Sequence, residues 1–313
     1  MRHRIGIDLG GTKIEAVRLD PTGAPAGTIA ARPRVPTPRE DYPATLSAIA
    51  DLVRQLDRPN APASVGIGMP GTLSRATGLV KNANSTWLIG KPLDRDIAAL
   101  INRPVRVAND ADCFALSEAV DGAAAGASIV FGVILGTGVG GGLIINARPV
   151  VGPNGITGEW GHNPLPWAQC ETTAQAPDIA DPALPCYCGK SGCIESFLSG
   201  PGFAAHHRAR TGQDIRAEDI VARAGQGDPA AAQSLAQYES RLARALAHVI
   251  NIIDPDVIVL GGGLSSISQL YETIPKIWNN YVFSDCVATK LVPPVHGDSA
   301  GVRGAAWLWD EPT

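Results

Sequence analysis

No run of five like charges occurs in this chain of 313 residues, and 26 Lys and Arg against 30 Asp and Glu leave a formal charge of −4. That removes the clustered positive footprint of a nucleic-acid binder. Charged residues are few, 18% against 45% hydrophobic, the reverse of a disordered chain. A targeting or membrane segment is also missing. Met1-Arg-His-Arg4 has the charge of a signal peptide's start, but Asp8 and Lys13 interrupt the apolar run behind it. Residues 122–147 carry no charge, yet Gly136-Thr-Gly-Val-Gly-Gly-Gly142 splits them into two β-branched runs. Two strands around a glycine turn use such a pattern; a spanning helix does not. No repeat of 20–50 residues is visible. A soluble, cytoplasmic protein is expected, and in that setting its six cysteines are thiols or metal ligands before they are disulfides.

What the chain has in excess is glycine, 35 residues, followed by 25 prolines. Its length suits two domains. The reading is α/β: residues 1–118 form a small domain, residues 119–300 a larger one, and a C-terminal helix (301–313) packs back on the first. Ile5–Leu9 and Ile14–Leu19 are strands flanking a Gly10-Gly-Thr-Lys13 hairpin. Residues 33–43, rich in proline, read as a loop, and Tyr42–Leu56 as a helix with Leu46, Ile49, Leu52 and Val53 on one face. Val65–Met69 and Val105–Ala108 are strands, and Asn109-Asp110 signals a helix start. Ile129–Leu135 and Leu143–Asn146 flank the second glycine turn, a helix is expected over Ala230–Ile253, and Val257–Leu260 runs into Gly261-Gly-Gly263.

Three strand–glycine–element units therefore recur, at 5–19, 129–146 and 257–270. They are either chance or halves of a repeated architecture facing a cleft. Glycine turns let backbone N–H groups converge on an anion. The P-loop pattern fails, because Gly6 to Thr12 lacks a lysine in register. Gly136, Gly138 and Gly141 match G-x-G-x-x-G, but a strand follows where a helix should open. Phosphate-binding hairpins fit better: Thr12 and Thr137 add hydroxyl donors, and Lys13 adds charge. Asp8 either holds Mg²⁺ or stabilises the turn.

Cys186-Tyr-Cys-Gly-Lys-Ser-Gly-Cys193 supplies three ligands of a tetrahedral structural zinc site. The fourth is His162, Cys170 or Cys113, and His162 is favoured because Glu159-Trp-Gly-His162 is a tight segment able to orient a site. Glu-x-x-His is also half of a di-iron motif, but the second copy is absent. Glu195 adds an acid that zinc would bring near Glu159, and carboxylates accept the hydrogen bonds that sugar hydroxyls donate. Asp110 is either a general base, kept ionised by the helix N-terminus, or an ordinary N-cap.

Together these residues resemble the ROK family of repressors, open reading frames and sugar kinases. The resemblance spans essentially the whole chain, on Asp8-Leu-Gly-Gly-Thr-Lys13, Gly68-Met-Pro-Gly71, Asn109-Asp110-Ala-Asp-Cys113, Leu135-Gly-Thr-Gly138, Gly158-Glu-Trp-Gly-His162 and the cysteine knuckle ending at Glu195. Within the family, Lys81–Trp87, Gly158–Trp167 and Val302–Trp307 look most like bacterial fructokinases of the manno(fructo)kinase type. The resemblance implies a two-domain actin-like (ribonuclease H-like) ATPase fold with an interdomain cleft for ATP. It implies Asp110 as catalytic base; Gly71, Asn84, Asn109, Glu159, His162 and Glu195 as sugar-binding residues; and Asp8, Gly10, Gly11, Thr12, Lys13, Gly136, Thr137, Gly138 and Gly261 to Gly263 around Mg²⁺-ATP. His162 would serve twice, with one ring nitrogen on Zn²⁺ beside Cys186, Cys188 and Cys193, and the other toward the sugar. The stretch between His162 and Cys186 is longer than in many relatives and reads as a lid or subunit-contact loop.

The expected activity is phosphorylation of a hexose at its 6-hydroxyl, fructose first and mannose second. Glucokinase and N-acetylhexosamine kinase are the alternatives, along with a non-catalytic sugar sensor. A homodimer with neither nucleic-acid nor membrane partner is expected. A repressor would carry a helix-turn-helix ahead of the first glycine hairpin; a first strand starting at Arg4 or Ile5 leaves no room for one.

Overall fold

The computed structural model describes residues 3–20, 28–167 and 183–309. The chain divides into two compact units, one of residues 1–127, 142–157 and 295–313, the other of 128–141 and 158–294. The first unit thus runs on past residue 118 to 127 and takes in residues 142–157 as well. The buried Glu118 carboxylate accounts for part of this. It accepts the backbone N–H of Ala123 (2.9 Å), Val295 (3.0 Å) and His296 (3.1 Å), so both the turn after residue 120 and the returning C-terminal segment are fastened to the first unit.

In that unit β1 (Arg4–Leu9) and β2 (Lys13–Asp20) pair antiparallel from Arg4↔Leu19 to Leu9↔Ile14. β3 (Thr28–Ala31) and β4 (Arg34–Pro36) both lie along β2. The Pro-rich segment 33–43 is thus not a loop throughout. Among the described strands β4 pairs only with β2, and proline is tolerated in such an edge position. α1 (Tyr42–Leu56) starts at Asp41, whose side chain accepts from Ala44 N at 2.9 Å, and buries Ile49, Leu52, Val53 and Leu56. β5 (Ser64–Met69) returns parallel to β1. β6 (Thr72–Leu73) and β7 (Val80–Lys81) form a small hairpin, α2 (Leu93–Ile101) follows, and β8 (Val105–Asn109) lies parallel to β5. α3 (Asp110–Val120) springs directly from β8. The sheet order is β3-β2-β1-β5-β8, and its central strands are apolar on both faces, as strands covered on both sides must be.

In the second unit β9 (Ile129–Leu135) is followed by β10 (Val139–Ile145), which carries the chain into the first unit, where it pairs with β11 (Arg148–Pro149). α4 (Glu195–Leu198), α5 (Gly200–Thr211), α6 (Ala217–Gly225) and α7 (Pro229–Ile253) come next. α7 has Asp228 as cap, Pro229 in its first turn, and a stop at Asp254 in the left-handed region (φ 50°). β12 (Val257–Gly261) lies parallel between β9 and β13 (Lys290–Val292), with α8 (Leu270–Trp278) as the crossover. No described helix is long and apolar enough to cross a membrane.

The last helix, α9 (Ala300–Trp307), packs on β1, β5 and α3 of the first unit. The approach is closer than any side chain allows. A Cβ at Gly6 would lie 2.0 Å from the Val302 carbonyl oxygen, and one at Gly66 would lie 1.9 Å from that of Ala305. On the other side, a Cβ at Gly304 would lie 1.6 Å from the Cys113 carbonyl oxygen. These obstacles are backbone atoms, so no rotamer change relieves them. Overpacking of this kind costs about 1–3 kcal/mol or more. Gly304→Ala is therefore expected to lower unfolding stability by at least about 2 kcal/mol, read as a fall in the urea midpoint at unchanged slope.

Candidate functional site

The turn between β1 and β2 is held from outside. Gly10 N donates to Lys13 O at 3.0 Å, closing the turn. The segment leaving β4 then takes up successive carbonyls. Thr37 Oγ1 donates to Gly10 O (2.7 Å), Arg39 Nε to Gly11 O (2.9 Å) and Thr37 N to Thr12 O (3.0 Å). In a trans peptide the carbonyl and the next N–H point in opposite directions. Bonding the carbonyls of Gly10 and Gly11 toward residues 37–39 therefore turns the N–H groups of Gly11 and Thr12 the other way. Outward-turned amides of this kind are what an anion-binding hairpin needs.

Asp110 is the first residue of α3, and the capping role falls to Asn109, whose side chain accepts from Ala111 N at 2.8 Å. Asp110 Oδ1 accepts from the same N–H at 2.9 Å. Asn109 also donates through Nδ2 to Gly71 O at 3.1 Å. Gly71 has φ +79°, and a Cβ there would meet the Lys81 carbonyl oxygen at 2.4 Å, so no other residue holds this turn without strain. Asp8, Gly10, Gly11, Thr12, Asn84 and Asp110 all line one cavity of about 580 Å³. Five of these come from segments far apart in sequence from Asp110.

Electrostatics distinguishes two of the expected cofactor residues. The Asp8 carboxyl is pushed up to about 6 by burial, reinforced by the negative charges of Asp110 and Glu15. Lys13 partly offsets this, its charge lowering the Asp8 pKa, while its Nζ pairs with Glu15 Oε2 at 3.5 Å, beside Arg32 and Arg34 on the same carboxylate. Burial raises the Glu15 pKa, but those two guanidinium groups outweigh it and hold the group below its ordinary value. Among the described residues the cationic side chain lining the cavity is Arg39, not Lys13.

In the second unit Gly136, Thr137 and Gly138 form the turn between β9 and β10, closed by Gly136 N donating to Gly138 O at 3.0 Å. Glu195, the first residue of α4, reaches this turn: its Oε2 accepts from Val139 N at 2.9 Å, and a Cβ at Gly138 would lie 2.8 Å from that oxygen. Gly200 N, at the start of α5, donates to Gly136 O at 2.8 Å. A cavity of about 420 Å³ is lined by Gly136, Thr137, Gly200, Arg216, Glu218 and Gly263, among others. Gly261 ends β12, and Gly262, at φ +80°, is packed against the Leu135 carbonyl, so Gly263 is the member of that trio at the cavity. Thr37, Arg39, Gly200, Arg216 and Glu218 are absent from the residues singled out in the sequence. Ser199-Gly-Pro-Gly202, a capped helix start, was the available signal for the α5 side.

The metal-ligand expectation can be tested on geometry. The donor atoms of His162, Cys186, Cys188 and Cys193 all lie within 4.8 Å of one another. Cys186 Sγ is 3.6 Å from His162 Nδ1, and Cys188 Sγ is 3.6 Å from Cys193 Sγ. A tetrahedral zinc with bonds of about 2.3 Å to sulfur and about 2.0 Å to nitrogen separates S from S by about 3.8 Å and N from S by about 3.5 Å. The donor set fits. The other ring nitrogen of His162, Nε2, is 3.0 Å from the Tyr187 hydroxyl, with the rings edge to face. Cys113, the rival ligand, is fully buried in α3 of the first unit; Cys170 and most of the expected lid, 163–185, lie outside the described residues. Glu159 directly precedes the short 3₁₀ turn Trp160–His162, which is anchored by Trp160 Nε1 donating to Gly140 O at 3.0 Å.

Two α/β units, each with a glycine turn between its opening strands, define the actin-like, ribonuclease H-like ATPase fold. The chain belongs to the ROK family, which it matches over residues 4–312. It is 42% identical over 307 residues to the N-acetyl-D-glucosamine kinase of Yersinia pseudotuberculosis serotype IB, covering 97% of each chain. Among solved structures it resembles the ROK hexokinase of Thermus thermophilus (TM-score 0.82, 28% identity, 98% and 97% of the two chains). It also resembles a ROK glucokinase from Streptomyces griseus in complex with glucose and AMPPNP (TM-score 0.72, 27% identity, 97% and 98%).

The raised pKa of Asp8 has a signed consequence. Folding favours its protonated form, so its contribution to stability is full below about 4 and is lost as pH rises through about 6. Above that its charge opposes folding. Asp8→Asn is expected to melt higher than the parent protein at pH 8 without divalent cations, with the gap closing between pH 6 and pH 4 in a thermal-shift series.

Proposed function

We propose that this chain is an ATP-dependent hexose kinase that phosphorylates the sugar's 6-hydroxyl, with Asp110 as general base. The observation that carries this reading is the cavity of the first unit, lined together by the Gly10–Thr12 hairpin and the carboxylates of Asp8 and Asp110. Phosphoryl transfer asks the protein chiefly for positioning and charge, because the chemistry lies in the substrates. Asp110 accepts the hydroxyl proton, the sugar oxygen attacks the γ-phosphorus of ATP, and ADP leaves. Asp110 stands at the N-terminus of α3, the end of a helix whose dipole favours negative charge. Sugar-holding roles go to Gly71, Asn84 and Asn109 in the first unit and, separately, to Glu159, His162 and Glu195 in the second. Mg²⁺ would be held at Asp8, where it offsets both the triphosphate's charge and the crowding of carboxylates. Zn²⁺ on His162, Cys186, Cys188 and Cys193 would fix the shape of the segment leading to Glu195.

Two sugars have specific support. N-acetylglucosamine is favoured by the full-length 42% relative named for it. Fructose is favoured by Asn84-Ser-Thr-Trp87, which lines the cavity and is the segment resembling fructokinases. Discrimination between hexoses rests on a few hydrogen-bonding side chains and not on chain-wide identity.

A coupled ADP-release assay with Mg-ATP across fructose, mannose, glucose, N-acetylglucosamine and N-acetylmannosamine is the test. Turnover with N-acetylglucosamine is expected. The highest kcat/KM on fructose would move specificity to the 84–87 segment, and absence of sugar-dependent ADP release would remove the kinase reading. Asp110→Asn should lower kcat by about 100-fold or more, as loss of a general base does, with little change in sugar affinity. Elemental analysis should find one zinc per chain, lost together with thermal stability in Cys186→Ser.

A further inference from the structure

The kinase reading needs a cation near the phosphate hairpin, and Lys13 is the obvious candidate by sequence. The cavity presents three carboxylates, from Asp8, Glu40 and Asp110, against a single cationic side chain among its described lining residues, Arg39. Lys13 acts on Asp8 only through its field; it does not line the cavity, and its Nζ pairs with Glu15, a buried carboxylate (1% exposed) that also engages Arg32 and Arg34. Arg39 spends only its Nε on the hairpin, at Gly11 O. Its two terminal NH₂ groups extend from a guanidinium already anchored beside the turn. A planar, permanently charged fork held in this way suits two phosphate oxygens at once. The next residue, Glu40, adopts φ +61°, a left-handed kink at the point where the chain turns from Arg39 toward α1.

We infer that Arg39 is the protein's phosphate-binding cation in this cavity, positioned by its bond to Gly11 and acting on the polyphosphate of the nucleotide, and that Lys13 serves the Glu15 ion cluster. The inference rests on the kinase reading, so its test measures binding without turnover. Titration calorimetry with Mg·AMPPNP and no sugar is run on the parent protein, Arg39→Gln, Arg39→Lys and Lys13→Gln. Loss of a charge-assisted bond to phosphate is expected to weaken Arg39→Gln by about tenfold or more. Arg39→Lys should retain part of the affinity, and Lys13→Gln should lose less than Arg39→Gln. Affinity of the parent protein should also fall more steeply with added salt than that of Arg39→Gln. Because Arg39 is exposed, the melting temperature of Arg39→Gln should match the parent's, which separates lost binding from lost folding. An Arg39→Gln protein that binds like the parent, or a larger loss in Lys13→Gln, overturns the assignment. A parent protein that does not bind Mg·AMPPNP at all overturns the kinase reading instead.

Discussion

The near-contact of α9 with its surroundings is the constraint on which the first unit is built. Glycines at 6, 66 and 304 bring helix backbone against strand backbone on one side and against α3 on the other. β1 ends in Asp8 and the glycine hairpin, while α3 begins with Asp110. Both pack on the same helix, so the separation of the two carboxylates is set by backbone contact and not by adaptable side chains. Close-packed interiors transmit displacement with little give.

On that frame the hairpin is oriented by hydrogen bonds and polarised by charge. Thr37 and Arg39 occupy three carbonyls in a row, which fixes which side the amides face. The acids then make the cavity costly without a cation: Asp8 already resists ionisation through burial and through Asp110 and Glu15. A site that repels its own protons' departure is one that a divalent ion and a guanidinium would both relieve. The second unit repeats the logic with different parts, since its glycine turn is tied down by Glu195 and by the start of α5.

The local signals were legible in the sequence. Helix α1 follows from the spacing of Ile49, Leu52 and Val53 behind a cap, and the hairpins follow from glycine between β-branched runs. The His–Cys set was legible as spacing, and the structure gathers those four donors. What the sequence does not display depends on partners distant in the chain. Lys13 reads as a phosphate ligand in the motif, which does not show that it shares the Glu15 carboxylate with Arg32 and Arg34. Prolines at 33, 36 and 38 signal a loop, and they hide both an edge strand and an arginine that braces the hairpin. Nothing near Glu118 in the sequence reveals that its carboxylate binds residues 295 and 296. Arg216 and Glu218 are ordinary surface residues until α6 is folded beside the 136–138 turn.

The segment 37–41 bears on how this chain can be re-engineered. It is short, polar and largely exposed, the usual profile of a place to open new termini or splice in a guest domain. Its backbone and side chains nonetheless close three carbonyls of the neighbouring turn, and Asp41 begins a helix. A graft there would undo the hairpin while leaving the hydrophobic core whole, giving a protein that folds and has lost its phosphate side. Exposed Gly126, which has open space where a Cβ would stand, lies beside the unit boundary and touches none of these bonds, so a permuted chain is better begun there.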